Sequence, residues 1–145
     1  DLNLLRSPNN PDADADLGRH SFIYSFYPHK EDLIRSNVIK ESTLLNHTPI
    51  LFDGYENLSV ESPVNFIGKG IEISAIKKSE FNNELIIRAV ETLGRNSEGD
   101  IQFTGSLVET NLMEQKNIGT EKNIKGSFKI KLKPFEIKTF RMKKK

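Results

Sequence analysis

The sequence predicts an all-β protein, specifically an antiparallel β-sandwich with one short helix in its N-terminal third. Three observations lead to this fold class: apolar and polar residues alternate in several stretches, glycine-containing turns separate short apolar runs, and one segment repeats its apolar residues at helical spacing. Alternation is typical of a strand with one buried and one wet face, because successive side chains point to opposite sides of a sheet. Short strands between turn signals favour a sandwich.

The N-terminal part, residues 4–29, has the sequence LLRSPNNPDADADLGRHSFIYSFYPH and joins a loop to a strand. Pro8, Pro11 and Gly18 fix or permit turn conformations, and the asparagines and aspartates between them suit Asx-type turns. Residues 21–27 then alternate with a period of two, with the aromatic residues on one face, which predicts a strand. We expect the aromatic side of that strand to belong to a core, and it carries Phe22, Tyr24 and Phe26.

Residues 36–47 predict the one helix. Apolar residues recur there near helical spacing, namely Val38, Ile39 and Leu45, with Ile34 one turn earlier. Glu31 and Asp32 lie where acidic residues stabilise the start of a helix, and Pro49 follows where a helix ends. We therefore expect a short helix between the opening strand and the β-rich remainder.

A regular series of strands is predicted from there to the end of the chain. Pro63 suits the first residue of an edge strand, because proline lacks the N–H that a central strand donates, and we predict a boundary between two regions near residues 58–63. The predicted strands are residues 71–76, 85–90, 101–104, 107–112 and 128–132, of which 85–90 is apolar enough for a central strand. The expected core members are Leu85, Ile87, Phe128, Ile130, Leu132, Phe135 and Ile137, with Glu136, Lys138 and Arg141 facing water.

Composition excludes several classes of function. The chain has 21 basic and 20 acidic residues, a net charge of +1, which predicts neither a nucleic-acid-binding protein nor a membrane-surface protein. It has no cysteine, so disulfides, thiolate metal sites and cysteine nucleophiles are excluded. No apolar run approaches the roughly 18 residues of a membrane span. Since the first residue is Asp1 rather than methionine, we expect the chain to be part of a longer polypeptide.

Basic residues are concentrated near the C-terminus, where residues 125–145 contain nine of them and a single acid, Glu136. Such a segment could hold an anionic ligand. The alternative is one polar strand face followed by a solvated terminus. The lysines alternate with apolar residues, as a half-buried strand requires, and this favours the strand face.

The opening loop has the acidic spacing of a calcium site but not its geometry. Counting from Asp12, acids stand at the first, third and fifth positions, but an EF-hand loop also needs glycine at the sixth and glutamate at the twelfth. Those two positions are Leu17 and Ile23, with Gly18 one place late. The histidines also lack the spacing of a metal-binding motif, and they are His20, His29 and His47. We therefore expect the loop to be structural.

Paired carboxylates are the remaining catalytic option, because the sequence has no nucleophile motif and no phosphate-binding loop. Candidates for an acid and a base are Asp12, Asp14, Asp16, Glu109, Glu114 and Glu136. Such a pair has to lie about 5–10 Å apart across a substrate, and the sequence alone does not determine which of these acids lie that close together. From the residues alone, this is a β-rich chain without a recognisable catalytic centre.

Several motifs nevertheless occur in a familiar order. Besides residues 4–29 they are LLNHTPI at 44–50, IEISAIKKSE at 71–80, LIIRAVETLG at 85–94, VETNLMEQ at 108–115 and LKPFEIKTFRM at 132–142. This succession resembles the C-terminal end of glycoside hydrolase family 38 α-mannosidases of the bacterial type, and it covers nearly the whole chain. The chain departs from the family pattern at Asn111, where an acid is common, and in the lysine-rich end after Met142.

The resemblance implies that residues 1–60 form the end of the large central β domain of a mannosidase, and that residues 61–145 form its small C-terminal β-sandwich domain. The full-length protein is then expected to be a retaining glycosidase that hydrolyses terminal α-mannosides. Its two catalytic carboxylates, and zinc or another divalent metal, would lie in an N-terminal catalytic domain. No residue of this chain matches those positions. We therefore expect the chain alone to be inactive, to bind no cofactor and to support the catalytic domain.

The resemblance also implies partners and a site. The expected partners are the N-terminal catalytic domain, the α-mannoside substrate through that domain, and other copies of the protein in a homo-oligomer, but neither nucleic acid nor a membrane. A cytoplasmic location follows from the family and agrees with the absence of cysteine. In the opening loop, Arg6, Asp16 and His20 are the residues that we expect to lie closest to the substrate.

Two other functions remain open. A stand-alone carbohydrate-binding module would stack aromatic rings on sugars, here those of Tyr24, Tyr27 and Tyr55, although the chain is only 8% aromatic and has no tryptophan. The other alternative is a structural or interaction sandwich unrelated to sugars.

Overall fold

A computed structural model describes residues 3–51, 53, 62 and 64–144. The chain forms two compact units, Asp1–Lys30 and Glu31–Lys145. Tyr55, Pro63 and the boundary predicted between residues 60 and 61 lie outside the described residues.

The first unit consists of turns and irregular backbone in its described residues, 3–30. The prediction of a strand at residues 21–27 is wrong for this chain, because no strand forms there, and Phe22, Tyr24 and Phe26 are exposed rather than part of a core. The physical reason is that a strand is stable only when a neighbour pairs with its backbone. Among the described residues, no strand pairs with this segment.

The second unit is a β-sandwich with one short helix in its described residues. The bounds are α1 (Val38–Asn46), β1 (Asn65–Gly68), β2 (Ile71–Lys78), β3 (Leu85–Glu91), β4 (Ser97–Gln102), β5 (Gly105–Thr110), β6 (Lys122–Ile124), β7 (Ser127–Leu132) and β8 (Ile137–Lys144). They form two antiparallel sheets, one of three strands in the order β1-β4-β7 and one of five in the order β2-β3-β8-β5-β6. The predicted fold class, an all-β sandwich with one short helix, is confirmed.

Strand β3 has the near-continuous apolar sequence of a strand inside a sheet. It pairs with β2 on one side and with β8 on the other, so that Ile87 lies opposite both Ile76 and Phe140. Strand β1 lies at an edge of its sheet, which agrees with the edge strand predicted near Pro63. Strand β6 was not predicted, because its three residues are too short to show alternation.

The core lies between the two sheets and takes alternate residues from both. Its buried apolar members are Val64, Ile71, Ile87, Ala89, Ile101, Phe103, Leu107, Ile130, Leu132, Phe140 and Met142. Phe128 and Phe140 meet there edge to face with ring centroids 5.7 Å apart, a geometry that aromatic pairs prefer. Of the predicted core members, five are buried or packed against this cluster, and they are Leu85, Ile87, Phe128, Ile130 and Leu132.

The core prediction is wrong for Phe135 and Ile137, which are exposed. Phe135 lies in the turn between β7 and β8, with φ of 57°. Ile137 is the first residue of β8, after that turn. Alternation predicts the face of a side chain only within one continuous strand. The pattern of β7 correctly placed Leu132 in the core, but it does not continue through the turn to Phe135 and Ile137.

The outer face of the five-stranded sheet is also partly buried. Ile86 and Val108 are buried, yet alternation puts them on the side opposite the core residues Ile87 and Leu107. Segment 111–118, which follows β5, is hydrogen-bonded to side chains on this outer side. It therefore shields part of the face from water.

The predicted helix is confirmed as α1. The turn before it is closed by Asp32, whose carboxylate accepts a hydrogen bond of 2.9 Å from the N–H of Arg35. The helix is joined to β2 by the hydroxyl of Thr43, which donates to the carboxylate of Glu72 at 2.7 Å. Within the residues that the structure describes, no helix is long and apolar enough to cross a membrane.

Candidate functional site

The opening loop brings two of its three predicted site residues together. Nε2 of His20 lies 2.8 Å from the carbonyl oxygen of Asp16, so Nε2 carries the proton and donates it to this hydrogen bond. The imidazole ring also stacks on Phe22, with centroids 6.0 Å apart. Arg6, Asp16 and His20 are all exposed, so each side chain is accessible from solvent.

Turn chemistry explains the aspartate-rich part of this loop. The N–H of Asp14 donates to the carboxylate of Asp12 at 3.0 Å, and the N–H groups of Ala15 and Leu17 donate to the carbonyl oxygens of Asp12 and Asp14. Asp16 has φ of 60°, a left-handed conformation that aspartate tolerates better than most residues. Within the described residues, no group of three or more His, Asp or Glu side chains could hold a metal ion. The hydrogen-bonded turns support the interpretation of the loop as structural.

A buried carboxylate organises one end of the sandwich. Glu91, the last residue of β3, is 1% exposed. Its carboxylate accepts five hydrogen bonds of 2.8–3.3 Å, from the N–H groups of Leu93, Gly94, Arg95 and Phe135 and from the hydroxyl of Ser97. These donors replace the water that burial removes, so their dipoles stabilise the buried negative charge.

The donors also set the protonation state of Glu91. Burial by itself raises the pKa of this carboxyl, because it penalises the charged form. The N–H of Phe135, followed by the other donors, binds the ionised form, and together they hold the pKa below its usual 4.5. A general acid needs a raised pKa, whereas Glu91 is ionised at neutral pH and stabilises the folded state in that form. Its role is that of a structural anchor.

Phe135 is held in an uncommon backbone conformation by this anchor. Its φ of 57° is rare for a bulky residue, and its side chain is 70% exposed. The ring covers Gly94, where an added Cβ would lie 2.8 Å from it, and Gly94 itself has φ of 68°. The hydrogen bond from Phe135 to Glu91 therefore fastens the turn between β7 and β8 to the turn between β3 and β4.

A second buried carboxylate, Glu114, fastens segment 111–118 to the turn between β2 and β3. Glu114 is 3% exposed. One carboxylate oxygen lies 2.8 Å from Nζ of Lys77, and the other accepts a hydrogen bond of 3.1 Å from the N–H of Glu80. Burial raises the pKa of Glu114, but Lys77, the N–H of Glu80 and the charge of Arg88 favour the ionised form and hold the pKa below 4.5.

The other acids considered as a catalytic pair also have local partners. The carboxylate of Glu109 lies 3.6 Å from Nζ of Lys138, a residue predicted to face water that is in fact half-buried. The carboxylate of Glu136 accepts a hydrogen bond of 2.7 Å from the N–H of Lys133 and closes the turn before β8. The carboxylate of Glu109 thus forms an ion pair and that of Glu136 closes a turn, so each has a structural role.

Two lysines near the C-terminus, Lys129 and Lys131, lie on a polar strand face. Lys129 lies 3.9 Å from Asp100 and Lys131 lies 3.7 Å from Glu98, in each case across the pairing of β7 with β4. Cross-strand pairs of opposite charge are common on the exposed side of an antiparallel sheet. This geometry supports the strand face rather than a site for an anionic ligand.

The sandwich is the part of the chain that matches a known family. Residues 70–140 match the model described as the glycosyl hydrolases family 38 C-terminal beta sandwich domain. This chain belongs to glycosyl hydrolase family 38. The match begins in the turn before β2 and ends in β8, so it includes Glu91 and Glu114 with all the partners described above. The resemblance to family 38 that the sequence motifs indicated is confirmed.

Three alpha-mannosidases are similar to this family 38 chain. Alpha-mannosidase G of Dictyostelium discoideum is 35% identical over 97% of the chain and 14% of its own length. Alpha-mannosidase of Saccharomyces cerevisiae is 29% identical over 97% of the chain and 15% of its own length. Alpha-mannosidase 2C1 of Homo sapiens is 32% identical over 64% of the chain and 9% of its own length. The chain thus spans about one seventh of the first two relatives.

Sequence reasoning missed Glu91 altogether and did not find the anchoring role of Glu114. Both residues lie inside motifs that carried the family resemblance, LIIRAVETLG and VETNLMEQ. In the sequence, Glu91 is marked by its position directly after the apolar run of residues 85–90 and three residues before Gly94. The departure at Asn111 also has an explanation, since its amide oxygen accepts hydrogen bonds from the N–H groups of Gln115 and Lys116 at 2.9 and 3.2 Å. Asparagine therefore keeps the acceptor that an aspartate would supply.

Proposed function

We propose that this chain is the C-terminal part of an α-mannosidase, a retaining glycoside hydrolase that acts on terminal α-mannosides, and that it supports the catalytic domain. The observation that carries the proposal is the 35% identity to Alpha-mannosidase G across 97% of the chain. Because the chain corresponds to only 14% of that relative, we assign the chemistry to the remainder of the polypeptide. That remainder would contain the two catalytic carboxylates and the zinc or other divalent metal.

The carboxylates of the sandwich support this division of roles. A retaining glycosidase needs one carboxylate free to attack the sugar and a second carboxyl group with a raised pKa, about 5–5.5 Å apart. Glu91 and Glu114 are buried and bound by donors, and their pKa values are lowered. They are therefore suited to fastening turns rather than to attacking a sugar or protonating a leaving group.

We assign residues 1–60 to the end of the large central β domain and residues 61–145 to the C-terminal sandwich. The assignment of residues 1–60 is supported by the exposed aromatic side chains of residues 21–27. Side chains that alternate as in a half-buried strand, but lie exposed, are what a strand presents when its neighbours are missing. In the intact enzyme this segment pairs with strands of the large domain. We also assign the enzyme to the cytoplasm and to a homo-oligomer, as the family resemblance implies.

The activity is tested with the complete natural gene product and with this 145-residue chain side by side. Hydrolysis of 4-nitrophenyl α-mannoside by the complete protein, with retention of the anomeric configuration, is the expected result. The 145-residue chain should give no hydrolysis above the spontaneous rate. A complete protein that folds and hydrolyses no α-mannoside would remove the proposal.

We further assign Arg6, Asp16 and His20 to the neighbourhood of the substrate. Their exposure and the fixed turn that carries them support this, since a rigid loop positions side chains for contact with a ligand. In the complete enzyme, His20→Ala should raise KM or lower kcat for the α-mannoside by about tenfold, the loss expected for one hydrogen bond. His47→Ala, in the second unit, is the matched control. Unchanged kcat and KM in a folded His20→Ala enzyme would end the substrate-contact assignment.

A stand-alone carbohydrate-binding module is the second candidate function. The specific observation in its favour is the exposure of Tyr24 and Tyr27, whose rings could stack on sugars. The chain is titrated with mannose and with mannobiose while its tyrosine fluorescence is followed. Saturable binding that Tyr24→Ala and Tyr27→Ala abolish would establish this function, and a flat titration would exclude it for these two sugars.

A further inference from the structure

Segment 111–118 combines a firmly held backbone with outward-facing apolar side chains. Leu112, Met113 and Ile118 are 52–65% exposed. Phe81, in the adjoining turn between β2 and β3, is 62% exposed. We call these four side chains the loop patch. Exposed apolar side chains grouped on joined loops are typical of a surface that another molecule or domain covers.

The backbone of the segment is fixed from within. The N–H of Asn111 donates to the carbonyl of Lys116 at 2.9 Å, and the N–H of Ile118 donates to the carbonyl of Glu109 at 2.8 Å. The side chain of Asn111 accepts two further N–H groups from the segment. An isolated bridge also pairs Thr110 with Asn117. These bonds give the segment one conformation before any partner binds.

The segment is also fixed to the sheet beneath it. Arg88 donates to the carbonyl oxygen of Leu112 at 3.0 Å, and Arg141 donates to the side chain of Asn117 at 2.9 Å. Both arginines lie on the outer side of the five-stranded sheet, next to the buried Ile86 and Val108. The segment therefore has an inner side that covers the sheet and an outer side that is left to solvent.

Glu114 joins the two loops that form the loop patch. Its carboxylate binds the N–H of Glu80, directly before Phe81, while its own neighbour Met113 projects outward. The turn that carries Phe81 and the segment that carries Met113 are thus joined by a carboxylate that is itself buried. Holding apolar groups rigid in advance reduces the entropy lost when a partner covers them, which is the usual basis of a preorganised contact surface.

We propose that the loop patch docks against the part of the same polypeptide that precedes this chain in the complete enzyme. This inference rests on the proposed function, which supplies that partner. Four half-exposed apolar side chains present roughly 400 Å², well below the about 800 Å² per partner of a standard interface between separate proteins. A contact of this size is sufficient between tethered domains, because the connecting chain gives them a high effective concentration. Relatives in which this region is 14–15% of the chain provide such tethered domains.

The two methionines of the chain test this proposal, because one lies in the patch and the other in the core. Met113 is 65% exposed, whereas Met142 is 1% exposed. Hydrogen peroxide transfers an oxygen atom to an accessible methionine sulfur, and the rate follows exposure. The complete natural protein is treated with peroxide, folded and in urea, and the oxidation of each methionine is followed by mass spectrometry. Met142 reports that the protein is folded.

Docking predicts that folding slows oxidation of Met113 by about tenfold or more in the complete protein, and that the protection is independent of protein concentration. An uncovered Met113 would oxidise within about twofold of its rate in urea, which would overturn the proposal. Protection that disappears on dilution would also overturn it, since a second copy of the protein would then be the partner.

A pair of substitutions gives an independent readout. Met113→Ser in the complete enzyme should shorten the half-life of α-mannosidase activity on heating by about fivefold, because the tethered contact is lost. Ile67→Ser is the matched control, since Ile67 is 62% exposed on the edge strand β1 and lies outside the patch. Equal half-lives for the two variants would overturn the proposal. The initial activity of the unmutated enzyme is measured in the same assay, so a failure of the proposed function is seen separately.

Discussion

The carboxylate of Glu91 accepts a hydrogen bond of 3.0 Å from the N–H of Phe135, 44 positions later in the chain. Each residue lies where the chain passes from one sheet to the other. Glu91 ends β3 of the five-stranded sheet just before β4 of the three-stranded sheet, and Phe135 lies between β7 of the three-stranded sheet and β8 of the five-stranded one. One buried carboxylate therefore fastens both crossings at the same end of the sandwich.

Glu91→Gln should destabilise the chain strongly. The glutamine keeps the shape but removes the charge and turns one acceptor into a donor that faces N–H groups. We expect a loss of about 3 kcal/mol in the free energy of unfolding, since removing a buried hydrogen-bonded charge leaves its partners unsatisfied. Urea unfolding followed by circular dichroism measures the loss.

Glu98→Gln is the control for that substitution. Glu98 is exposed and lies 3.7 Å from Lys131, so its ion pair is screened by water. Its replacement should change the free energy of unfolding by less than about 0.5 kcal/mol. Similar losses for the two variants would show that the anchoring role assigned to Glu91 is wrong.

The two buried carboxylates make the stability of the sandwich sensitive to acid. Their folded-state pKa values lie below the ordinary 4.5, so the unfolded chain binds protons more readily than the folded chain. Their stabilising contribution is therefore fully present above about pH 4.5 and is lost as the pH falls through the folded-state values. Melting temperatures measured between pH 7 and pH 3 should fall below about pH 4.5, and the fall should be shallower in Glu91→Gln than in the unmutated chain. Parallel curves would contradict the assignment.

Substitutions of Phe135 test whether its side chain lies outside the core. Because its ring is 70% exposed, Phe135→Ala should cost less than about 1 kcal/mol, whereas Phe140→Ala should cost about 3–5 kcal/mol. The positive φ of Phe135 adds a second expectation, since glycine adopts that conformation without strain. Phe135→Gly should therefore be more stable than Phe135→Ala by roughly 1 kcal/mol, the reverse of the usual order.

Thermal or urea unfolding of Phe135→Ala, Phe135→Gly and Phe140→Ala tests both expectations. A large loss in Phe135→Ala would mean that the ring is covered in solution. Phe135→Gly less stable than Phe135→Ala would mean that the left-handed conformation is not adopted.

Much of the fold could be predicted because the determining signal is local. Alternation over residues 128–132 predicted both the strand β7 and the side that each residue faces. The apolar run at 85–90 predicted a strand inside a sheet, and helical spacing over residues 36–47 predicted α1. In each case the side chains that decide the structure stand within a few positions of one another.

The rest could not be predicted because it depends on partners that are distant in sequence. The five donors of Glu91 include one 44 positions away, and Glu114 binds a backbone group 34 positions before it. Local alternation also predicted a strand at residues 21–27, but a strand requires a neighbour, and the described residues provide none. In the opening loop, turn residues predicted the turns, while whether His20 meets a substrate depends on parts of the enzyme outside this chain.

Thr110 and Thr139 are cross-strand partners in β5 and β8, and only one of their hydroxyls is hydrogen-bonded in the part of the chain that the structure describes. This difference leads to the last prediction. Both are buried, but the hydroxyl of Thr139 accepts a hydrogen bond of 3.2 Å from Arg88, whereas the hydroxyl of Thr110 has no partner within the described residues. Valine has nearly the same shape without the hydroxyl. Thr110→Val should therefore stabilise the chain by about 1 kcal/mol, since it removes an unsatisfied buried polar group.

Thr139→Val is the matched control, since it removes a hydroxyl of the same kind on the facing strand. It leaves the Nε–H of Arg88 without its acceptor, so we expect a loss of about 1–2 kcal/mol. Urea unfolding of both variants under one set of conditions gives the two changes with opposite signs. A loss of stability in Thr110→Val would show that its hydroxyl is hydrogen-bonded in solution.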